Sequence, residues 1–106
     1  MSHSDWEICG EAVDGYGAIE KNRQLSPELI VMDLSMPRMN GLEAAVKILQ
    51  EFPNRRIVLL TLYASHQLAD QAHEAGIRGT LSKAAALDHI EEGIEAVLRG
   101  EEFVSI

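Results

Sequence analysis

The chain has 106 residues, a length that supports one domain with a modest core. Hydrophobic residues make up 46% and charged residues 25%, a balance that excludes a disordered tail. Nine Lys and Arg against 17 Asp and Glu give a net charge of -8, which argues against a nucleic-acid groove and an anionic membrane surface. From the amino terminus, residues 6–12 read as a short strand with Trp6, Ile8, Cys9 and Ala12 as its apolar members. Cys9 is the only cysteine, so no internal disulfide forms, and a buried, inert thiol is the expected state. The first five residues carry no secretion signal, and no apolar run approaches the ~20 residues of a membrane span. These features predict a cytoplasmic protein.

Asp14 is placed to cap a helix over residues 15–24. Ser26-Pro27 marks a loop, and residues 29–33 (LIVMD) form an apolar strand ending in a carboxylate. Asn40-Gly41 opens a helix whose Leu42, Ala45, Val46 and Leu49 share one face, with Glu43 and Lys47 as an outward pair. Pro53 stops it. Residues 57–61 form a second buried strand. Ser65 caps a helix to about Ala75, with Gly76 just past its end. Residues 77–83 form a weaker strand. Leu87, Ile90, Ile94, Val97 and Leu98 mark a last amphipathic helix, ended by Gly100. Residues 101–106 read as a linker stub. Alternating strands and helices predict a parallel sheet with right-handed crossovers in a single domain.

Three strands end in Asp33, Thr61 and Lys83. In a parallel sheet these ends converge on one edge, where open α/β folds place their chemistry. The set suits phosphoryl transfer to a carboxylate. Asp33 acts as nucleophile, Lys83 supplies a cation and the Thr61 hydroxyl donates to a phosphoryl oxygen. Taken singly, an Asp after a strand is often a turn residue, a Thr a strand edge and a Lys a solvated charge. Together, beside the loop Met36-Pro37-Arg38-Met39-Asn40-Gly41, they outweigh those readings.

The run from Asp33 to Gly41 resembles the phosphoacceptor segment of the receiver domain of bacterial two-component response regulators, whose pattern is Asp-x-x-Met-Pro-x-Met-(Asn/Asp)-Gly. The resemblance extends from Trp6 to about Gly100. It implies a flavodoxin-like, doubly wound parallel sheet with strand order 2-1-3-4-5. It also implies phosphorylation of Asp33 by a histidine kinase, and Mg²⁺ as cofactor. Lys83-Ala84-Ala85-Ala86 and the tail RGEEFV are similar to the subclass fused to a helix-turn-helix DNA-binding domain, although residues 1–106 contain no such domain.

The chain departs from that family at its start. The family's first strand and helix, with the acidic pair that holds Mg²⁺, have no counterpart, so the expected fold is N-terminally truncated, with about four strands and four helices. A fragment, a misassigned start and a natural truncation all fit. Of the family's metal ligands, Asp33 and the Ser35 backbone carbonyl remain, so Mg²⁺ binding is expected to be weak or absent and phosphorylation slow. The missing helix uncovers apolar area beside the last helix, which predicts a homodimer. Where the family often has a switch aromatic, three residues before the Lys, this chain has Thr80. Tyr63 is a substitute there, or an ordinary partly buried Tyr. His3, His66, His73 and His89 read as solvated, because His66 and His73 stand ~10 Å apart along one helix.

Two other functions compete. One is a phosphorylation-independent dimerisation or binding module. The other is a phosphatase of the haloacid dehalogenase type, which ranks low because Ser35 stands where that family needs a second Asp.

Overall fold

The structure is a computed structural model that describes residues 10–106. The strand expected at residues 6–12 lies mostly outside the described residues, as do Cys9 and His3. Among the described residues, four parallel strands form one sheet in the order β1 (Leu29–Asp33), β2 (Arg56–Thr61), β3 (Gly79–Ser82) and β4 (Phe103–Ser105). Four helices accompany them: α1 (Gly15–Leu25), α2 (Gly41–Glu51), α3 (His66–Ala75) and α4 (Lys83–Leu98). The fold is flavodoxin-like α/β.

Local chemistry sets the helix ends. Asp14, Asn40, Ser65 and Ser82 are N-caps, each accepting from a backbone N–H in the first turn. Glu43 does not reach outward to Lys47 as the pattern suggests. It turns back to accept from the Asn40 N–H and completes a capping box. Gly76 ends α3 in the left-handed conformation, at φ 94°.

The two faces of the sheet carry separate cores. Ile57 and Leu59 point to one face and pack with Met32, Ile48 and Leu49, beneath α1, α2 and α3. Val58 points to the other and packs with Leu81, Val97 and Phe103, where α4 lies. The strands advance in one direction across the sheet while α4 sits opposite α2 and α3. The β3–α4–β4 connection therefore has the opposite hand to the two before it. That departs from uniform right-handed crossovers, which parallel connections adopt in almost all cases. The cause is the state of the two faces. One is already filled by three helices, and α4 buries its apolar stripe on the other.

The tail read as a linker stub contributes the fourth strand. Phe103 packs into the α4 core, the Phe103 N–H donates to the Arg78 carbonyl at 2.9 Å, and β4 pairs with the free edge of β3. The counterpart of the uncovered apolar area is also visible. On the α4 side of β1, Val31 is 44% exposed and Leu29 only half-buried.

Gly41 fixes the path of the chain beneath β1. Its N–H donates to the Leu34 carbonyl at 2.9 Å, and a Cβ there would collide with the Asp33 backbone carbonyl. Gly41→Ala is expected to cost ~1–3 kcal/mol, the range for inserting a methyl group into a packed site. Urea denaturation measures this, and an unchanged midpoint would contradict the close approach.

Candidate functional site

Asp33 is the last residue of β1, paired in register with Leu60 of β2. Thr61 follows at the carboxyl end of β2, and Lys83 opens α4 directly after β3. The three thus sit along the carboxyl edge of three adjacent strands, as the sequence predicts. The Lys83 Nζ donates to Asp33 Oδ2 at 2.8 Å, closing a contact between residues fifty positions apart. The other carboxylate oxygen, Oδ1, accepts from the Ser35 N–H at 3.0 Å. That bond turns the chain sharply out of the strand.

Thr61 is buried, and its Oγ1 accepts from the Tyr63 N–H at 3.3 Å. No hydrogen bond joins it to Asp33 among the described residues. Its own hydroxyl proton remains available to a group placed between the two strands. Tyr63 itself is 87% exposed, so the expectation of a partly buried ring is corrected. It lies in the loop after β2, where nothing among the described residues covers it. Thr80 is fully buried inside β3.

The position of Lys83 is informative. It is the first residue of α4, where the exposed N–H groups already carry partial positive charge and a cation is locally unfavourable. The ammonium sets a fixed positive charge against the Asp33 carboxylate. Such a charge suits an anion carried by Asp33. The apolar stripe that marks this helix in the sequence begins at Leu87, four residues after its first residue. Ser82 ahead of three alanines was the available signal: a good cap followed by the strongest helix formers.

A second tie holds the loop after Asp33. Arg38 sits at φ 66° and donates through Nε to Asp14 Oδ2 at 2.7 Å, while the Gly15 N–H donates to the Met39 carbonyl at 3.1 Å. The loop is thereby fastened to the start of α1. No residue pattern announced this pair, because Asp14 and Arg38 are 24 positions apart. The Gly17 N–H first, and the Arg38 guanidinium second, hold the Asp14 carboxyl below its ordinary value of 3.8. A lowered folded value contributes stability that is present above pH 3.8 and is lost as the pH falls through the folded value. Arg38→Gln is expected to move the Asp14 titration up toward its ordinary value, read by NMR of the carboxyl carbon. No movement would contradict the assigned cause.

The described histidines do not form a centre. His73 pairs with Glu102 at 2.6 Å and His89 with Glu92 at 3.3 Å, both exposed, and His66 is exposed. Among the described residues, no group of three or more His, Cys, Asp or Glu could hold a metal ion. Around Asp33 the described donor set is one carboxylate, both of whose oxygens are engaged, by the Ser35 N–H and by the Lys83 ammonium. That set does not fit an octahedral Mg²⁺.

Comparison with known proteins settles the ancestry. The family profile of the response regulator receiver domain matches residues 1–95. The chain belongs to the response regulator receiver domain family. An uncharacterized transcriptional regulatory protein of Bacillus subtilis, YxjL, is 36% identical over 100 residues, covering 94% of this chain and 46% of that protein. The chain spans about half the length of the curated relatives it matches. A two-component response regulator of the LuxR family from Aurantimonas superimposes with a TM-score of 0.83 at 33% identity, covering 87% of this chain and 66% of that one. The response regulator domain of Thermotoga maritima CheB gives 0.83 at 25%, covering 92% and 80%. The chain is thus a receiver domain of two-component systems, related to transcription regulators. Among the described residues, no helix is long and apolar enough to cross a membrane.

Proposed function

We propose that this receiver domain accepts a phosphoryl group on Asp33 from a histidine kinase. A carboxylate oxygen of Asp33 attacks phosphorus, the bond from phosphorus to the donor imidazole nitrogen breaks, and an acyl phosphate remains. Lys83 neutralises charge on the equatorial oxygens and the Thr61 hydroxyl donates to one of them. The contact between Lys83 and Asp33 carries this reading. Mg²⁺ assists this transfer in the family. Here the described donors do not fit it, so metal binding is weak or absent and phosphorylation slow. Residues 1–106 act as a single cytoplasmic receiver unit that does not itself bind nucleic acid or a membrane and does not turn over phosphate esters.

A second reading is a module that works without phosphate, through homodimer contacts alone. The exposed Val31 beside half-buried Leu29 and Leu60 favours it, because apolar strand surface on the α4 side invites a second copy. Beryllium fluoride distinguishes the two. Amide shifts at residues 33–41 and 61–65 that vanish in Asp33→Asn support the phosphoacceptor. No shift in excess Mg²⁺, with a dimer seen by light scattering, supports the second.

A further inference from the structure

We propose that a cleft at the amino-terminal ends of β2 and β3 binds a small, multiply charged oxyanion of the phosphate class. It lies at the opposite edge of the sheet from Asp33, so it is independent of the phosphoacceptor reading.

The cleft holds about 240 Å³ and is lined by Arg55, Arg56 and Arg78, with Asn54 and Val97 among its other walls and no acidic side chain. This is unusual in a chain where acids outnumber cations by 17 to 9. The arginines elsewhere meet carboxylates: Arg23 meets Glu51, Arg38 meets Asp14 and Arg99 meets Glu101. Among the described residues, the three cleft arginines do not. Arg55 donates through Nη1 to the Pro27 carbonyl at 2.8 Å and lies 4.8 Å over the Phe52 ring, leaving a buried Nε with no partner. Arg78 reaches the Gly100 carbonyl at 3.5 Å, the far limit of a hydrogen bond. Arg56 has no hydrogen-bond or ion-pair partner among the described residues.

The carboxyl end of α4 is nearby, and its carbonyls attract cations. The Arg78 contact with Gly100 answers that attraction. It leaves the Arg56 guanidinium unaccounted for. Guanidinium groups present planar, paired donors that match phosphate oxygens. The volume falls below the roughly 300–1,000 Å³ of pockets for drug-sized ligands, so it fits an inorganic anion rather than a nucleotide.

Isothermal titration of the full chain with inorganic pyrophosphate, without Mg²⁺ and at low salt, tests this. One site is expected, weakened about tenfold by Arg56→Gln and again by Arg78→Gln, the worth of one charge-assisted hydrogen bond each. Lys83→Ala should leave the affinity unchanged. Arg56 has no partner to lose, so Arg56→Gln keeps the fold, and an unchanged melting curve checks that. No binding at millimolar pyrophosphate overturns the proposal. So does binding that is indifferent to both arginine variants, or that is lost in Lys83→Ala.

Discussion

Replacing Lys83 with Ala is expected to slow labelling by acetyl phosphate ~10²–10³-fold, the loss that follows removal of one fixed group at a developing oxyanion. The same substitution should barely change stability. Both partners of the Lys83–Asp33 pair are more than a third exposed, so solvent screens it and its worth is ~0–1 kcal/mol. Removing a cation from the first turn of α4 also relieves an unfavourable charge there, offsetting part of that loss. The two effects therefore separate by measurement. Stopped-flow or mass-spectrometric labelling rates should fall steeply while the urea midpoint stays in place. A variant that labels at the parental rate would show that Lys83 is a solvated charge resting on Asp33. A variant that unfolds would show that the contact is structural.

The largest stability effect is expected in the core under α2 and α3. Leu59 is fully buried in the middle of β2, opposite Met32 of β1, and packs in the cluster that holds Ile48 and Ile57. Leu59→Ala removes buried methyl groups and leaves a cavity between the sheet and its helices, costing ~2–5 kcal/mol. For a small domain with total stability of ~5–15 kcal/mol, that is a large share. Equilibrium urea denaturation followed by circular dichroism measures it. A cost under ~1 kcal/mol would mean that the core collapses around the gap or is loosely packed. The matching truncation on the α4 side, Val58→Ala, should cost less, because its cluster is smaller and open at Val31.

Much of this arrangement is legible in the residues themselves. The apolar runs of β1 and β2, the caps at Asp14, Asn40 and Ser65, and the stop at Gly76 each have a local cause, and the elements form where those causes act. The convergence of Asp33 and Lys83 is legible as well, since parallel strands bring their carboxyl ends to one edge. What escaped was partly local and partly non-local. The start of α4 was hidden because the Ala84–Ala86 stretch lacks the apolar spacing used to find helices, although alanine forms them best. The tail strand was hidden because three residues give too short an alternation to read. The hand of the last crossover depends on which sheet face is already filled, and a sequence pattern does not carry that information. The Asp14–Arg38 tie needs the fold itself to bring its partners together.

Phosphoryl attachment is the most direct test. The parental protein and Asp33→Asn are incubated with acetyl phosphate and excess Mg²⁺, and intact mass is followed over time with peptide mapping of the product. A slow gain of one phosphoryl group, located on the peptide carrying Asp33 and absent from the variant, is the predicted result. A parental mass that never changes, or a group that maps to another residue, would contradict it.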